Sequence, residues 1–350
     1  MNCKIVLAAI AGFGLAQGQN AGPGFKNLTH LKDTPPEQIL PAMQVMSAAL
    51  GVECTFCHVQ GKMEADDKDH KKIARDMIAM TAALNKNSFN GRQDVTCFTC
   101  HRGENHPNGT PNVQDAFVPP SFVPKLAAAA GQPPTAEDIL NRYITGLGGE
   151  AAIRKVTSRV MKGDLEAGGV NTPIEIVTKA PNKRVTISQS SNGGSYTAFD
   201  GTAGWMGNTG RPARAMSPAE SWASSLDAEF YLGLRLKEMF AQLRPGRPAM
   251  VNGFECDTLT ATSPERPPVR FFFDKSTGLL MRAIRYAATP VGRNPTQIDY
   301  SDYRAVDGVK VPFRWTLSRP NGRFAIQVAT VASNAPVEDD RFAKPAGPLK

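Results

Sequence analysis

Two hydrophobic rhythms divide this chain of 350 residues. In the first hundred residues apolar positions recur at helical spacing. Thr34-Pro35-Pro36-Glu37 combines an N-cap threonine, prolines at a helix entry and a capping-box glutamate, and predicts a helix running to about Leu50 and ending at Gly51. A second helix is predicted after the acidic stretch Asp66-Asp67-Lys68-Asp69, because Ile73, Met77, Met80 and Leu84 fall on one helical face; it should stop between Asn85 and Asn90. Ala136 to Leu147 predicts a short helix closed by Gly148-Gly149. Beyond it the rhythm changes to alternation, the signature of half-buried strands. Predicted strands are Val156 to Leu165, Ile174 to Lys179, Arg184 to Gln189, Ser195 to Phe199, Glu255 to Ala261, Val269 to Phe273, Leu279 to Tyr286, Gln297 to Tyr303, Phe313 to Ser318 and Phe324 to Ala332. Asp274 to Gly278 reads as a hairpin loop, and Pro218 to Met239 as a helical interruption. The expected product is a strongly curved antiparallel sheet with a helix or two against its concave face.

The change of rhythm coincides with other boundaries. All five histidines, His30, His58, His70, His101 and His106, precede residue 107, and a proline- and alanine-rich stretch follows. Such a stretch is a semi-rigid linker. The fold class is therefore multidomain: a small α-helical domain over residues 19–103, a linker over 104–134 and an antiparallel β-rich, α+β domain over 135–350. Residues 1–18 read as a signal peptide, with Lys4 as the positive start, Ile5 to Ala16 as the apolar core and Ala16-Gln17-Gly18 as the cleavage pattern. That core is shorter than the roughly 20 apolar residues a membrane helix needs, and no later run approaches that length. A soluble, exported, periplasmic protein is expected.

Cysteine and charge narrow the chemistry. Of six cysteines, Cys3 leaves with the signal and lies too early for lipid acylation, four form two pairs, and Cys256 stands alone as a buried small hydrophobe. Net charge is +8, but residues 19–134 balance 11 basic against 11 acidic side chains, so the excess is C-terminal. Scattered arginines on an exported protein do not make a nucleic-acid surface. The basic half could dock on the N-terminal half or on an acidic partner, or simply confer solubility. No Ser-His-Asp triad can form in the second domain, which has no histidine.

The decisive motifs are Cys54-Thr55-Phe56-Cys57-His58 and Cys97-Phe98-Thr99-Cys100-His101. Each is a Cys-x-x-Cys-His signature for covalent attachment of c-type haem, in which two thiols add across the haem vinyl groups and the histidine binds iron. A zinc ribbon also uses two Cys-x-x-Cys pairs, but it does not require histidine directly after each. A redox dithiol would accompany a βαβ unit, which the pattern lacks. Cys54, Cys57, Cys97 and Cys100 are thus expected to hold two haem c groups, with His58 and His101 as proximal ligands. Haem propionates would make the N-terminal half acidic, which is what would let the basic half dock on it.

Sixth ligands are sought among methionines on the predicted helices. Met43 is the candidate for the first haem, with Met46 one turn on as its alternate; Met77 leads for the second, with Met80 and His70 as alternates. Methionine-histidine coordination raises the reduction potential and suits electron relay, and two haems in one small domain could exchange electrons. The competing reading of these methionines is core filler.

The segment Met43 to His58, with Ile73-Ala74-Arg75-Asp76-Met77 and Val95 to Gly103, resembles the multihaem cytochrome subunit of photosynthetic reaction centres. The resemblance covers about residues 30–105 and implies units built of a helix, a turn and a Cys-x-x-Cys-His segment. By it, Met43 and Met77 fall on the sixth-ligand positions. Reaction-centre members typically carry four motifs and this chain has two. The β-rich part lies outside the resemblance; its strand pattern is similar to curved-sheet lipoprotein carriers of the bacterial envelope.

These readings imply a periplasmic dihaem electron carrier rather than an enzyme, served by redox proteins of the periplasm or by a membrane-bound redox complex. Two alternatives remain. A dihaem peroxidase-like enzyme would keep one iron open. A carrier of lipid or another apolar molecule would use the second domain, where Phe271, Phe272, Phe273, Trp205 and Trp315 would either line a cavity or form ordinary core.

Overall fold

The structure, a computed structural model, describes residues 25–107, 133–190, 193–264, 266–320 and 322–345. The expected signal peptide and most of the expected linker lie outside these described residues.

The helical half begins with α1 (Pro36–Leu50) and α2 (Cys54–Cys57), followed by α3 (Asp69–Ser88) and α4 (Cys97–His101). α1 starts one residue later than the threonine cap predicts. Pro35 takes the cap position without a side-chain hydrogen bond, and the Thr34 amide instead donates to the Leu31 carbonyl at 3.1 Å in the preceding turn. The two prolines preset the entry, so the threonine is left outside the helix. At the other end Gly51 adopts φ +66, the left-handed closure that glycine permits.

The second half opens with α5 (Ala136–Leu147), whose Thr135 cap accepts from the Asp138 amide at 3.1 Å. α6 (Glu150–Lys155) follows at once, a helix the alternation does not reveal. The sheet strands are β1 (Ser158–Ala167), β2 (Val170–Lys179), β3 (Lys183–Ser190), β4 (Gly193–Phe199), β5 (Gly204–Asn208) and β6 (Arg214–Ala215). After α7 (Pro218–Ala228) and α8 (Leu232–Met239) come β7 (Gln242–Pro245), β8 (Ala249–Val251), β9 (Phe254–Ser263), β10 (Arg266–Asp274), β11 (Leu280–Thr289), β12 (Gly292–Val306), β13 (Val309–Arg319) and β14 (Gly322–Ser333). Every predicted strand is present; β5 to β8 are additional, and at two to five residues each they are too short to show alternation.

The strands form one curved antiparallel sheet in the order β6-β5-β4-β3-β2-β1-β14-β13-β12-β11-β10-β9-β7, with β8 also paired to β9. Almost every neighbour is a hairpin partner. The exceptions are β7, which pairs β9 past β8, and β1 against β14, which joins the two meanders through Val160↔Ala332 and Leu165↔Ile326.

Helices α5, α7 and α8 cover the inner face. Ile139, Leu140 and Tyr143 of α5 and Leu236 of α8 pack on Leu259, Phe271, Phe273 and Leu280, and Trp222 of α7 joins their edge. Alternation sends Phe272 to the opposite face, where it meets Val251 and the fully buried Cys256. The Cys256 thiol is pushed up to about 11 by burial, the behaviour of an inert apolar side chain. Over β2 to β4 the outer face is closed by a 3-10 turn, Asp339–Phe342, which buries Phe342 against Val177, Val185 and Ala198.

The helical half rests on the β11–β12 hairpin. Ile39, Ala42, Val45 and Ala49 form the buried stripe of α1, with Val291 of the hairpin against it. Gln93 donates to the Thr289 and Pro290 carbonyls at 3.0 and 2.7 Å, and Asn294 donates to Gln44 at 2.9 Å.

Gly278 turns the chain between β10 and β11 with φ +74, and a Cβ there would lie 2.4 Å from the Arg142 carbonyl of α5. Gly278→Ala should therefore cost about 2–3 kcal/mol. The expected result in urea unfolding followed by circular dichroism is a lower midpoint with an unchanged slope.

Candidate haem-binding site

Both cysteine motifs form single helical turns that end at the histidine. In the first, the His58 amide donates to the Cys54 carbonyl at 3.0 Å, and the chain then leaves in an extended conformation. In the second, the Thr96 amide donates to Thr99 Oγ1 at 3.0 Å, which starts α4. One turn brings the first and fourth residues to the same side, so both thiols of a pair can meet the edge of one planar group. Cys54 and Cys100 are exposed, and Cys57 and Cys97 are half-buried. Burial raises the Cys57 and Cys97 thiols above their ordinary range.

The two imidazoles are held alike. His58 Nδ1 lies 2.7 Å from the Met63 carbonyl oxygen, and His101 Nδ1 lies 2.9 Å from that of Glu104. A carbonyl only accepts, so the proton must sit on Nδ1 in both rings and the Nε2 lone pair is left for a metal. A backbone acceptor behind a metal-binding histidine is the usual way its tautomer and orientation are set.

What holds those carbonyls is not legible as a motif. Lys71, 8% exposed on α3, donates to the carbonyls of Met63, Glu64 and Ala65 at 3.0, 2.9 and 2.9 Å. It is also 3.2 Å from Asp66, which binds Arg75 at 2.9 Å and accepts from Asn27 at 2.9 Å. Lys68 donates to the Thr55 carbonyl inside the first motif. The second motif has one principal anchor. Asn85, 7% exposed near the end of α3, donates to the Val95 carbonyl at 2.7 Å and accepts from the Val95 amide at 3.0 Å.

α3 is thus inside out. Its buried residues are Lys71 and Asn85, whereas the apolar stripe Ile73, Met77, Met80 and Leu84 is 54%, 37%, 53% and 40% exposed. Phe98 of α4 is likewise exposed. A helix hydrophobic along an open face needs an apolar partner. The face of a porphyrin, tethered at an adjacent cysteine pair, is of the right chemistry.

The candidate ligands divide by position. Met43 and Met46 are half-buried on α1 beside the Leu31, Ile39 and Ala42 cluster. Met77 and Met80 lie on the open stripe of α3. His70 stacks on Phe56 of the first motif, with ring centroids 4.0 Å apart, so it stands beside the first pair of cysteines. Among the described residues no group of three or more His, Cys, Asp or Glu side chains converges as a zinc site would require. The residues present fit covalent haem better: paired thiols, a tautomer-locked imidazole after each pair, and thioethers on helices.

The units are cross-braced. α1 packs on α4, and α2 packs on α3, so the helix of each unit supports the motif of the other. The contact is close at Gly51, where a Cβ would fall 2.0 Å from the Gly103 carbonyl oxygen; beside it the Gly103 amide donates to Ala49 at 2.8 Å.

These features are the ones a c-type haem attachment site uses. Residues 7–133 match the family described as photosynthetic reaction centre cytochrome C subunit. The photosynthetic reaction center cytochrome c subunit of Roseobacter denitrificans is 33% identical over 94 residues, covering 24% of this chain and 25% of that protein. That of Thermochromatium tepidum is 30% identical over 90 residues, covering 25% and 22%. The chain spans about a quarter of the length of these curated relatives. The N-terminal part of the chain therefore resembles that family. Among solved structures, a DUF1329 family protein from Desulfovibrio piger aligns over 60% of this chain and 98% of its own at 11% identity, with TM-score 0.43. A LolA superfamily protein from Nitrosomonas europaea aligns over 61% and 99% at 12% identity, with TM-score 0.40.

Lys71→Met removes three charge-assisted bonds and should loosen residues 62–68 by about 2–4 kcal/mol. In hydrogen exchange the Lys62 and Ala65 amides should exchange faster while the Gly91 amide does not change. The hydrogen bond from Arg75, with those from Asn27 and Lys71, holds the Asp66 carboxyl well below the usual carboxylate range. A depressed folded pKa gives stabilisation that is present above the unfolded pKa and lost as pH falls through the folded one. The loop should therefore keep its protection at about pH 4, where a free aspartate is half protonated, and lose it only in stronger acid.

Proposed function

We propose that this protein is an exported, periplasmic dihaem c-type cytochrome that relays electrons between redox proteins. The observation that carries the reading is the pair of histidines, each following a cysteine pair and each fixed through Nδ1 to a backbone carbonyl. Similarity of the N-terminal part to reaction-centre cytochrome subunits supports haem-based electron transfer. Each haem, when attached, would supply a one-electron iron couple.

The chain's own residues supply attachment, orientation and insulation. Cys54 and Cys57 would hold one group and Cys97 and Cys100 the other, through thioethers. His58 and His101 offer Nε2 to iron. Met43 would complete the first site, with Met46 as its alternate, and Met77 the second, with Met80 as its alternate; His70, the other alternate for the second haem, stacks on Phe56 and so stands at the first motif instead. The open stripe of α3 would exclude water from one macrocycle. Lys71, holding the loop after His58, and Asn85, holding Val95 ahead of the second motif, lie about 21 Å apart along one helix at helical rise.

Partners follow from the same reading. Periplasmic redox proteins are the expected exchange partners, and the relatives' printed names make a membrane-bound redox complex a further candidate. Among the described residues no helix is long and apolar enough to cross a membrane.

Expression in cells competent for cytochrome maturation, followed by a pyridine haemochrome assay, should give two haems per chain. Both should be low-spin with the methionine-to-iron charge-transfer band, and the protein should be inert to peroxide. Met77→Ala should abolish that band for one haem and lower its potential, leaving the other unchanged. A colourless product, or stoichiometric zinc, would overturn the proposal. A high-spin haem with peroxide turnover would replace it with the enzyme reading.

A further inference from the structure

The inner face of the sheet holds a cavity of about 340 Å³ between the strands and α7, within the range that encloses a small ligand. Much of its wall is apolar: Met161, Leu280, Ile298, Trp315, Phe324 and Ile326. Among the aromatics singled out in the sequence, Trp315 is the one that reaches it, because Phe271 and Phe273 are consumed in the helix-covered core and Phe272 points outward.

Into this apolar space project too many cations. Arg159 of β1 and Arg184 of β3 line the cavity, and Arg285 of β11 and Arg319 of β13 stand beside it around Asp227 of α7. Strand parity puts all four on the helix-covered face. Register brings the last two together: Arg285 pairs with Thr296, and the next residue, Gln297, pairs with Ser318, the neighbour of Arg319.

Their acidic complement is small. Arg285 bonds the Asp227 carboxylate, and Arg184 reaches the Asp227 backbone carbonyl at 3.0 Å. Glu229, the other acid in the wall, is taken by Arg235 at 3.0 Å. Nε of Arg159 and Nε of Arg319 are buried with no hydrogen-bond partner among the described residues. Their guanidiniums rest instead over the rings of Phe230 and Phe324, 4.9 and 5.9 Å from the centroids. Burial lowers the pKa of Arg159, Arg184 and Arg319, the mark of charge held out of water.

Unpaired buried charge destabilises a fold, and arginine's planar fork matches carboxylate and phosphate. Arg159 and Arg184 stand level on the cavity wall, each paired with Thr178 of the strand between them. We propose that this cavity is a second binding site, independent of the haem reading, for a single-chain anionic amphiphile, its acidic head taken by Arg159 and Arg184 and its chain by the apolar wall. The head group is a carboxylate or a phosphate; the volume admits one chain.

The test uses the full haem-loaded protein, delipidated, with oleate, lauryl phosphate and oleyl alcohol as probes in calorimetric titration. Oleate or lauryl phosphate should bind one per chain, and the stronger of the two identifies the head group. Oleyl alcohol should bind at least about tenfold more weakly, the loss expected for one charge-assisted hydrogen-bonded contact. Arg159→Met and Arg184→Met should each weaken the anion about tenfold or more. In the ligand-free protein Arg159→Met should melt no lower than wild type, because it removes a charge whose Nε is buried without a partner. Equal binding of alcohol and anion, failure of both anions to bind, or arginine variants that fold and bind the anion unchanged would each overturn the proposal. The wild-type comparison of probes decides the matter even if a variant fails to fold.

Discussion

Each imidazole beside a cysteine pair is oriented by a single hydrogen bond from Nδ1 to a carbonyl in the loop that follows it. A loop carbonyl is a poor reference point unless something holds the loop. The structure meets that requirement after the first motif by burying Lys71 of α3, and after the second by the Gly103 amide, which donates to the Ala49 carbonyl at 2.8 Å. Lys71 gathers three carbonyls behind the first histidine, and Asn85 pairs both backbone groups of Val95 before the second motif. The apolar stripe of the helix is thereby free to face a prosthetic group rather than the protein core. Burial of a lysine is tolerable because its ammonium is fully engaged by carbonyls and by Asp66.

Placement of the two motifs relative to each other is a second consequence. Gly51 lets the end of α1 approach Gly103, so the helix preceding one motif leans on the loop following the other. The pair then sits on the β11–β12 hairpin through Val45, Gln93 and Gln44. Backbone carbonyls of the hairpin are used as acceptors, which joins the helical half to a strand turn rather than to a sheet face. Both sheet faces are consequently available for other purposes: the outer one closes on Phe342, and the inner one is roofed by helices and keeps a cavity.

That inner face departs from ordinary core chemistry. Alternation along β1, β3, β11 and β13 places an arginine where a half-buried sheet usually shows an apolar residue, and Asp227 is shared between two of them. Arg214 and Glu220 nearby form a matched bidentate pair at 2.8 and 2.7 Å, so the fold can neutralise arginine where it needs only stability. The contrast with the buried, unbonded Nε of Arg159 on the cavity wall is what the proposed anion site rests on.

Much of this molecule could be read locally. The cysteine-histidine motifs, the helix ending at Gly51, the ten longest strands and the helices around Pro218 to Met239 all follow from periodicity and punctuation within short windows. Strands β5 to β8 and the helix α6 were not visible there, since elements of two to six residues carry too few periodic positions. The role of Lys71 could have been suspected only from a lysine standing near a histidine loop; its three carbonyl partners are set by the path of that loop. Chain composition alone determined that two pairs of thiols each stand one residue before a histidine, because covalent neighbours need no fold to be near. Which face of α3 stays open, which motif His70 stacks on and which arginines meet around Asp227 were decided by tertiary structure, because burial and pairing between residues tens to hundreds of positions apart exist only once the chain has closed on itself.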